Sequence, residues 1–343
     1  MKVEKLPPIK STLQPSNHPY LNGAWTPLME EVDAVDLEVI EGAIPDDIDG
    51  LYLRNTENQI HQPLGRYHPF DGDGMIHQIS FQNGKASYRN RFVKTRCFDA
   101  EQAAEQSLWG GLMDRPDISI RPGYGAHGSL KDSSSTDIVV HAGKAISTFY
   151  QCGEGYVLDP VTLEPEGLAP WVPIDGISAH PRVDESTGEM MFFNYSKFAP
   201  YMHYGVVDKD QKLVHYVPIE LPGPRLPHDM TFSENWSIVN DLPVFWDAEL
   251  LKRDIHAVRF HEDVPSRFGL IPRHGDPSEI RWFEGAPTYV LHWLNAYEEG
   301  DEVIMDGYFQ EDPSPPPIAE AGEYGHLMAY VDQHSFKSRL HRW

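Results

Sequence analysis

The sequence predicts an all-β fold, and three observations carry that expectation. Short apolar runs with period two recur from about Leu37 onward. Turn signals separate them, so the runs read as strands joined by hairpins. Finally, 27 glycines and 29 prolines make about one residue in six of the 343 a backbone breaker. That density excludes a helical bundle or coiled coil and leaves a sandwich, a barrel or a propeller.

Taken in order, the elements are these. Met75 to Phe81 reads as a strand and meets the turn Asn83-Gly84. Asp137 to His141 and Ala145 to Tyr150 flank Ala142-Gly143-Lys144, and Arg182 to Asp184 runs through Glu185-Ser186-Thr187-Gly188 into Glu189 to Phe193. Tyr204 to Val207 pairs with Leu213 to Val217 across Asp208 to Gln211. Asn-Gly and Thr-Gly supply the positive φ that hairpin turns require. Only Asp99 to Leu108 and Asp247 to Asp254 read as helical, and neither alternates with strands as βαβ units would. Pro313 to Pro317 is expected to be a loop, and no domain boundary shows, so residues 1–343 are expected to form a single domain.

Composition narrows the function. Fifty-two acidic against 28 basic residues give a formal net charge of −24, which repels phosphate backbones and argues against nucleic-acid binding. Cys97 and Cys152, the two cysteines, form no zinc-ribbon spacing and no disulfide framework, so a reducing, cytoplasmic setting is expected. No stretch approaches eighteen apolar residues, and the opening Met1 to Pro8 has no apolar run of the signal-peptide kind. The 17 histidines are the unusual count.

Three of them stand at or within expected strands beside proline or aromatic residues: His180 in Ala179-His180-Pro181, His228 in Pro227-His228-Asp229, and His292 in Leu291-His292-Trp293. Their separations, 48 and 64 residues, are near one propeller blade and one blade plus an insertion. Histidines at one level of successive blades would converge where a metal could sit. The bland alternative, a satisfied strand histidine, is the commoner case for any one of them. His68 and His77 flank Asp71-Gly72-Asp73-Gly74, which lacks the twelve-residue calcium pattern and reads as a tight turn. Glu298-Glu299, beside Gly300, reads as a solvated loop. There is no Walker loop, nucleophile elbow or dinucleotide fingerprint.

An ordered set of segments resembles the carotenoid cleavage oxygenase family. Leu51-Tyr52-Leu53-Arg54-Asn55-Thr56-Glu57-Asn58 resembles its early Arg-Asn motif. His68 to His77, with Tyr88 to Val93 after it, resembles the segment that follows. Ala179-His180-Pro181 with Thr187-Gly188-Glu189, His228-Asp229 with Asp241-Leu242-Pro243, and His292 to Glu298 match its histidine motifs. The similarity is collinear from about Pro19 to Asp306.

The resemblance implies a seven-bladed β-propeller carrying non-haem Fe(II) on its axis, bound by four histidines and no carboxylate. His180, His228 and His292 would be three of them. The implied reaction is cleavage of a conjugated C=C bond of a carotenoid or apocarotenoid with O2, giving two carbonyl products. The fourth histidine motif lies near the family's C-terminus, and His326, His334 and His341 do not sit in its context. The chain is therefore expected to be incomplete at its C-terminal end and to hold iron weakly. Of the family's three histidine-orienting glutamates, the one within reach aligns with Gln151, a neutral acceptor. A stilbene-cleaving enzyme is the alternative substrate reading. There a lysine and a tyrosine hold the phenol, but Tyr150 stands at the lysine position and no tyrosine lies near Leu112. A truncated propeller acting as a binding scaffold is the alternative of another class. An apolar substrate also suggests peripheral membrane contact, although no amphipathic helix is evident.

Overall fold

The computed structural model describes residues 1–121, 131–252, 258–331 and 337–343, and it divides into two compact units, Met1–Ile177 and Ser178–Trp343. In the first unit, β1 (Lys2–Lys5), β2 (Val32–Val35), β3 (Gly50–Asn58), β4 (Asp73–Gln82) and β5 (Lys85–Phe92) form one antiparallel sheet in the order β1-β2-β5-β4-β3. β6 (Asp137–His141), β7 (Lys144–Thr148), β8 (Tyr156–Leu158) and β9 (Pro165–Leu168) form a second, paired in sequence order. The β4–β5 turn is Asn83-Gly84 with φ of 50° and 69°, the two-residue geometry the sequence predicts. Ala142-Gly143 turns β6 into β7 with φ of 48° and 75°. Between the two sheets, Ile76, Val93, Ala145, Tyr156, Leu158 and Leu163 make a buried cluster. Asn55 ties the sheets together, donating to the Ser134 carbonyl at 2.9 Å and the Ser147 hydroxyl at 3.1 Å.

The expected helix over Asp99 to Leu108 is α1 (Arg96–Ala104). It starts earlier because the Thr95 side chain accepts the Phe98 N–H as an N-cap. It stops earlier because Glu105 turns left-handed, and the Glu101 carboxylate then accepts the Leu108 N–H at 2.8 Å.

The second unit repeats the hairpin logic. β10 (Arg182–Asp184), β11 (Glu189–Tyr195), β12 (Tyr201–Val207) and β13 (Leu213–Glu220) form one antiparallel sheet. β14 (Thr231–Phe232), β15 (Trp236–Asp241), β18 (Ser266–Pro272) and β19 (Arg281–Gly285) form the next, with the hairpin β16 (Val244–Trp246) and β17 (Val258–Phe260) inserted between β15 and β18. β20 (Trp293–Glu299), β21 (Glu302–Gln310) and β22 (Ser338–Arg342) form a third. β11 departs from period two: Met190, Met191, Phe192 and Phe193 are all buried, as expected of a strand covered on both faces. Of the expected Asp247–Asp254 helix, α2 (Ala248–Leu251) is present and its last two residues lie outside the described ones. The short α3 (Gly325–Val331) follows the Pro313–Pro317 loop and has no forerunner in the sequence reading. No helix among the described residues is long and apolar enough to cross a membrane.

The first unit also carries a pH signature. Burial pushes the carboxyl groups of Glu57, Asp71 and Asp132 up to about 7, and neighbouring backbone N–H donors only partly oppose it. Folded-state pKa values above the unfolded ones mean stability is present at low pH and is lost as pH rises through about 7. Burial acts oppositely on His61, His68 and His77, lowering their pKa values, so their contribution rises with pH and is complete above the ordinary histidine range. The two sets offset one another in mild acid. Between pH 6.5 and 8 the carboxyl set loses about 1 kcal/mol per group while the histidines, half titrated in the unfolded chain at the start of that window, regain about 0.4 kcal/mol each, so the carboxyl set prevails. The thermal midpoint, followed by circular dichroism, is expected to fall by a few degrees over that interval. A flat or rising profile would contradict the assignment.

Candidate metal centre

Each histidine of interest is placed by the first strand of a sheet in the second unit. His180 stands two residues before β10, His228 three before β14, and His292 immediately before β20. The lead-ins are pinned. The Ser178 N–H bonds to the Phe193 carbonyl at 3.0 Å, the Leu226 carbonyl accepts the Tyr289 hydroxyl at 3.1 Å, and Thr288 exchanges hydrogen bonds with the Gln310 backbone at 3.0 Å. His180 adopts the left-handed region, φ 62°, directly before a proline. That conformation is costly for a residue with a Cβ, and such strain concentrates where side-chain direction matters.

The three imidazoles converge. The Nε2 atoms of His180 and His228 are 3.2 Å apart, and the ring centroids lie 4.8 Å (180–228), 4.7 Å (180–292) and 5.1 Å (228–292) from one another. One nitrogen from each falls within 4.8 Å of the others, and among the described residues this is the one group of three or more side chains able to hold a metal ion. His180 and His228 are half-buried and His292 is exposed. Burial, then the nearby His180 and His292 imidazoles, hold the pKa of His228 well below the ordinary value, which keeps its ring neutral and able to donate a lone pair.

Asp229 lies beneath the group with its side chain fully buried. Its Oδ2 accepts from Arg182 Nη2 and from the Trp293 N–H at 2.9 Å, and stands 3.8 Å from His292 Nδ1. Burial alone would raise its pKa. The His292 imidazole, the Arg182 guanidinium, the His180 imidazole and the Trp293 N–H together hold it below the usual carboxylate range.

The remaining sequence candidates sort as follows. His68 accepts the Phe70 N–H at 3.1 Å and caps the turn Pro69–Asp71; His77 bonds Thr56 at 2.9 Å and Tyr88 at 2.7 Å. Asp71 accepts the His68 and Leu112 N–H groups, each at 2.9 Å, and Asp73 pairs with Lys131 at 2.8 Å. Gln151 lies on the turn after β7, in the first unit, and is partly buried. Glu298 is not a solvated loop residue: it is on β20 and accepts from the Ser233 hydroxyl at 2.7 Å and the Asn235 N–H at 2.8 Å. His326 is exposed on α3, His341 packs on Trp343 with centroids 4.5 Å apart, and His334 lies outside the described residues.

Successive antiparallel sheets whose first strands present imidazoles to a common point define a class, the β-propellers of the carotenoid oxygenase type. Lignostilbene dioxygenase from Pseudomonas brassicacearum has this fold: it matches 97% of this chain and 68% of its own with a TM-score of 0.80 and 25% identity. Residues 25–343 match the family model described as retinal pigment epithelial membrane protein, and the chain belongs to that family. Carotenoid 9,10(9',10')-cleavage dioxygenase 1 of Pisum sativum is 34% identical over 319 residues, covering 87% of this chain and 58% of the pea protein. Isoeugenol monooxygenase of Pseudomonas nitroreducens is 34% identical over 299 residues, covering 84% and 61%. The chain thus spans about three-fifths of the length of the curated relatives it matches. Five sheets of three to five strands are present among the described residues, so the expected count of seven blades is not read from this chain.

Proposed function

We propose that this chain carries the iron centre of a non-haem Fe(II) oxygenase that cleaves a conjugated C=C bond of a carotenoid or apocarotenoid with O2, giving two carbonyl compounds. The convergence of His180, His228 and His292 is the observation that supports it most directly. Nitrogens sharing one metal at ~2.1 Å stand ~3 Å apart, close to the 3.2 Å between His180 and His228. A donor set of imidazoles without a carboxylate suits a divalent first-row ion such as Fe(II). Iron bound there would supply the activation of dioxygen toward the alkene, for which no amino-acid side chain has the chemistry.

The chain's own contribution is geometric and electrostatic. The three histidines hold the ion, and the depressed pKa of His228 keeps that ligand unprotonated at neutral pH. The buried Asp229 places one negative charge beneath the centre, which favours a bound cation. No general acid–base pair is invoked, because an electron-rich alkene needs no activated nucleophile. The reading treats residues 1–343 as part of one propeller domain and places the protein in the cytoplasm, in peripheral contact with a membrane that supplies its apolar substrate.

A second reading, a stilbene or phenylpropenoid oxygenase, is favoured by the likeness to lignostilbene dioxygenase and isoeugenol monooxygenase. Against a stilbene cleaver, Tyr150 occupies the position where a lysine would hold the phenol. It is buried edge-on against Phe149 and Phe70, at centroid distances of 5.0 and 5.8 Å. The purified protein, with iron quantified per chain, is to be incubated with an apocarotenal, a hydroxystilbene and isoeugenol, and the aldehydes identified by mass spectrometry. Iron bound weakly, at up to one per chain, with aldehyde from the apocarotenal is the expected result. Turnover of the hydroxystilbene or isoeugenol alone would replace the polyene reading. A protein that takes up no iron would be a binding scaffold.

A further inference from the structure

We infer that Arg182 and Asp229 are positioning residues for the metal centre: their ion pair knots together the three strand starts that present the histidines. The inference rests on the reading of the triad as a metal centre. Arg182 opens β10, two residues after His180; Asp229 follows His228; Trp293 opens β20, directly after His292. One side chain from the first segment and one from the second meet, and both bond the third. Asp229 Oδ2 accepts from Arg182 Nη2 and from the Trp293 N–H at 2.9 Å, while its Oδ1 accepts the Met230 N–H at 2.7 Å. Arg182 Nε donates to the Met230 carbonyl at 2.9 Å, and its Nη2 reaches the Trp293 carbonyl at 3.4 Å. Asn240 of β15 closes the knot from behind, donating to the Asp229 carbonyl at 2.5 Å.

The chemistry of the two residues fits the task. A carboxylate has two acceptor oxygens and a guanidinium a planar fork of donors, so one pair can satisfy backbone groups on several strands at once. The side chain of Asp229 is fully buried, which makes each of its bonds strong and their geometry narrow. At 3.8 Å from His292 Nδ1, Asp229 is too far for a direct hydrogen bond, so it acts on that ring through the Trp293 backbone and through its charge. Sequence alone carries no sign of the link, because Arg182 and Asp229 are 47 residues apart.

Cobalt(II) titration of the metal-stripped protein tests this without depending on turnover, since its visible absorption reports both affinity and ligand geometry. Asp229→Asn and Arg182→Ala are compared with wild type, with Arg182→Lys as the conservative variant. Asp184→Asn serves as control, because it breaks the Arg273–Asp184 ion pair at the far end of β10. Asp229→Asn and Arg182→Ala are expected to weaken cobalt binding by ~10–100-fold, the usual range for residues that orient ligands, and to shift the absorption bands. Arg182→Lys should recover part of the loss and Asp184→Asn should leave affinity and bands unchanged. Unchanged affinity and bands in both Asp229→Asn and Arg182→Ala would overturn the inference, and so would an equal loss in Asp184→Asn, since the effect would then be general destabilisation. If Asp229→Asn fails to fold, the Arg182→Ala and Arg182→Lys pair decides alone. A wild-type protein that binds no cobalt would instead bring down the metal-centre reading itself.

Discussion

His228→Ala is expected to leave the protein essentially free of metal. His228 is the middle member of the triad, its Nε2 is the one found 3.2 Å from that of His180, and its ring is kept neutral by burial. Apparent binding energies of about 10–16 kcal/mol for four-ligand sites correspond to ~3 kcal/mol per ligand, so one lost imidazole weakens binding at least about 100-fold. Measured by elemental analysis after equilibrium dialysis against the metal, bound iron or cobalt should drop from the wild-type level to near background. The thermal midpoint without metal should barely change, because a half-buried histidine at a strand entrance contributes little to the core. Retention of metal by His228→Ala would mean that the three rings meet for another reason.

Gly74→Ala is expected to be the most damaging single-methyl change in the first unit. A Cβ there would lie 2.3 Å from the Ser134 carbonyl oxygen and 3.1 Å from that of Ser133, and both obstacles are backbone. The same glycine uses its N–H on the Ser133 carbonyl at 3.0 Å and its carbonyl on the Val93 N–H at 2.8 Å, so it cannot move aside without losing both. Overpacking against fixed backbone costs about 3 kcal/mol or more. Gly143→Ala is the useful contrast. Its φ of 75° penalises a side chain, but nothing lies within 4 Å of the new methyl, so about 1 kcal/mol is expected. Urea unfolding midpoints of the two variants rank them; equal midpoints would show that the Ser133–Ser134 backbone yields.

Local features were the legible part of this fold. The β4–β5 and β6–β7 hairpins were readable because their turns need positive φ and the sequence places Asn-Gly and Ala-Gly there. His180, His228 and His292 were legible through their motif context, and their shared position before the first strands of three sheets agrees with the spacing argument. What the sequence hid is long-range or conformational. The Arg182–Asp229 link spans 47 residues and has no periodic or compositional signature. The left-handed backbone of His180 runs against the usual preference of a residue before proline. Glu298 was misread because its neighbours Glu299 and Gly300 suggest a turn, whereas its partners Ser233 and Asn235 lie in the distant turn between β14 and β15.

Placing one histidine of the triad at the entrance of each of three sheets has a temporal consequence. On the ribosome, His292 appears 112 residues after His180, which at ~5–20 residues per second is a delay on the order of ten seconds. During that interval the nascent chain can offer only His180 and His228, and these draw together only after the sheets that carry them have paired. Such non-local closure is the slow class of folding event. If the triad takes up a metal, that capture would follow the assembly of this unit rather than seed it, and the rate at which a refolding sample takes up cobalt is expected to track the docking of β20 against the sheets already formed.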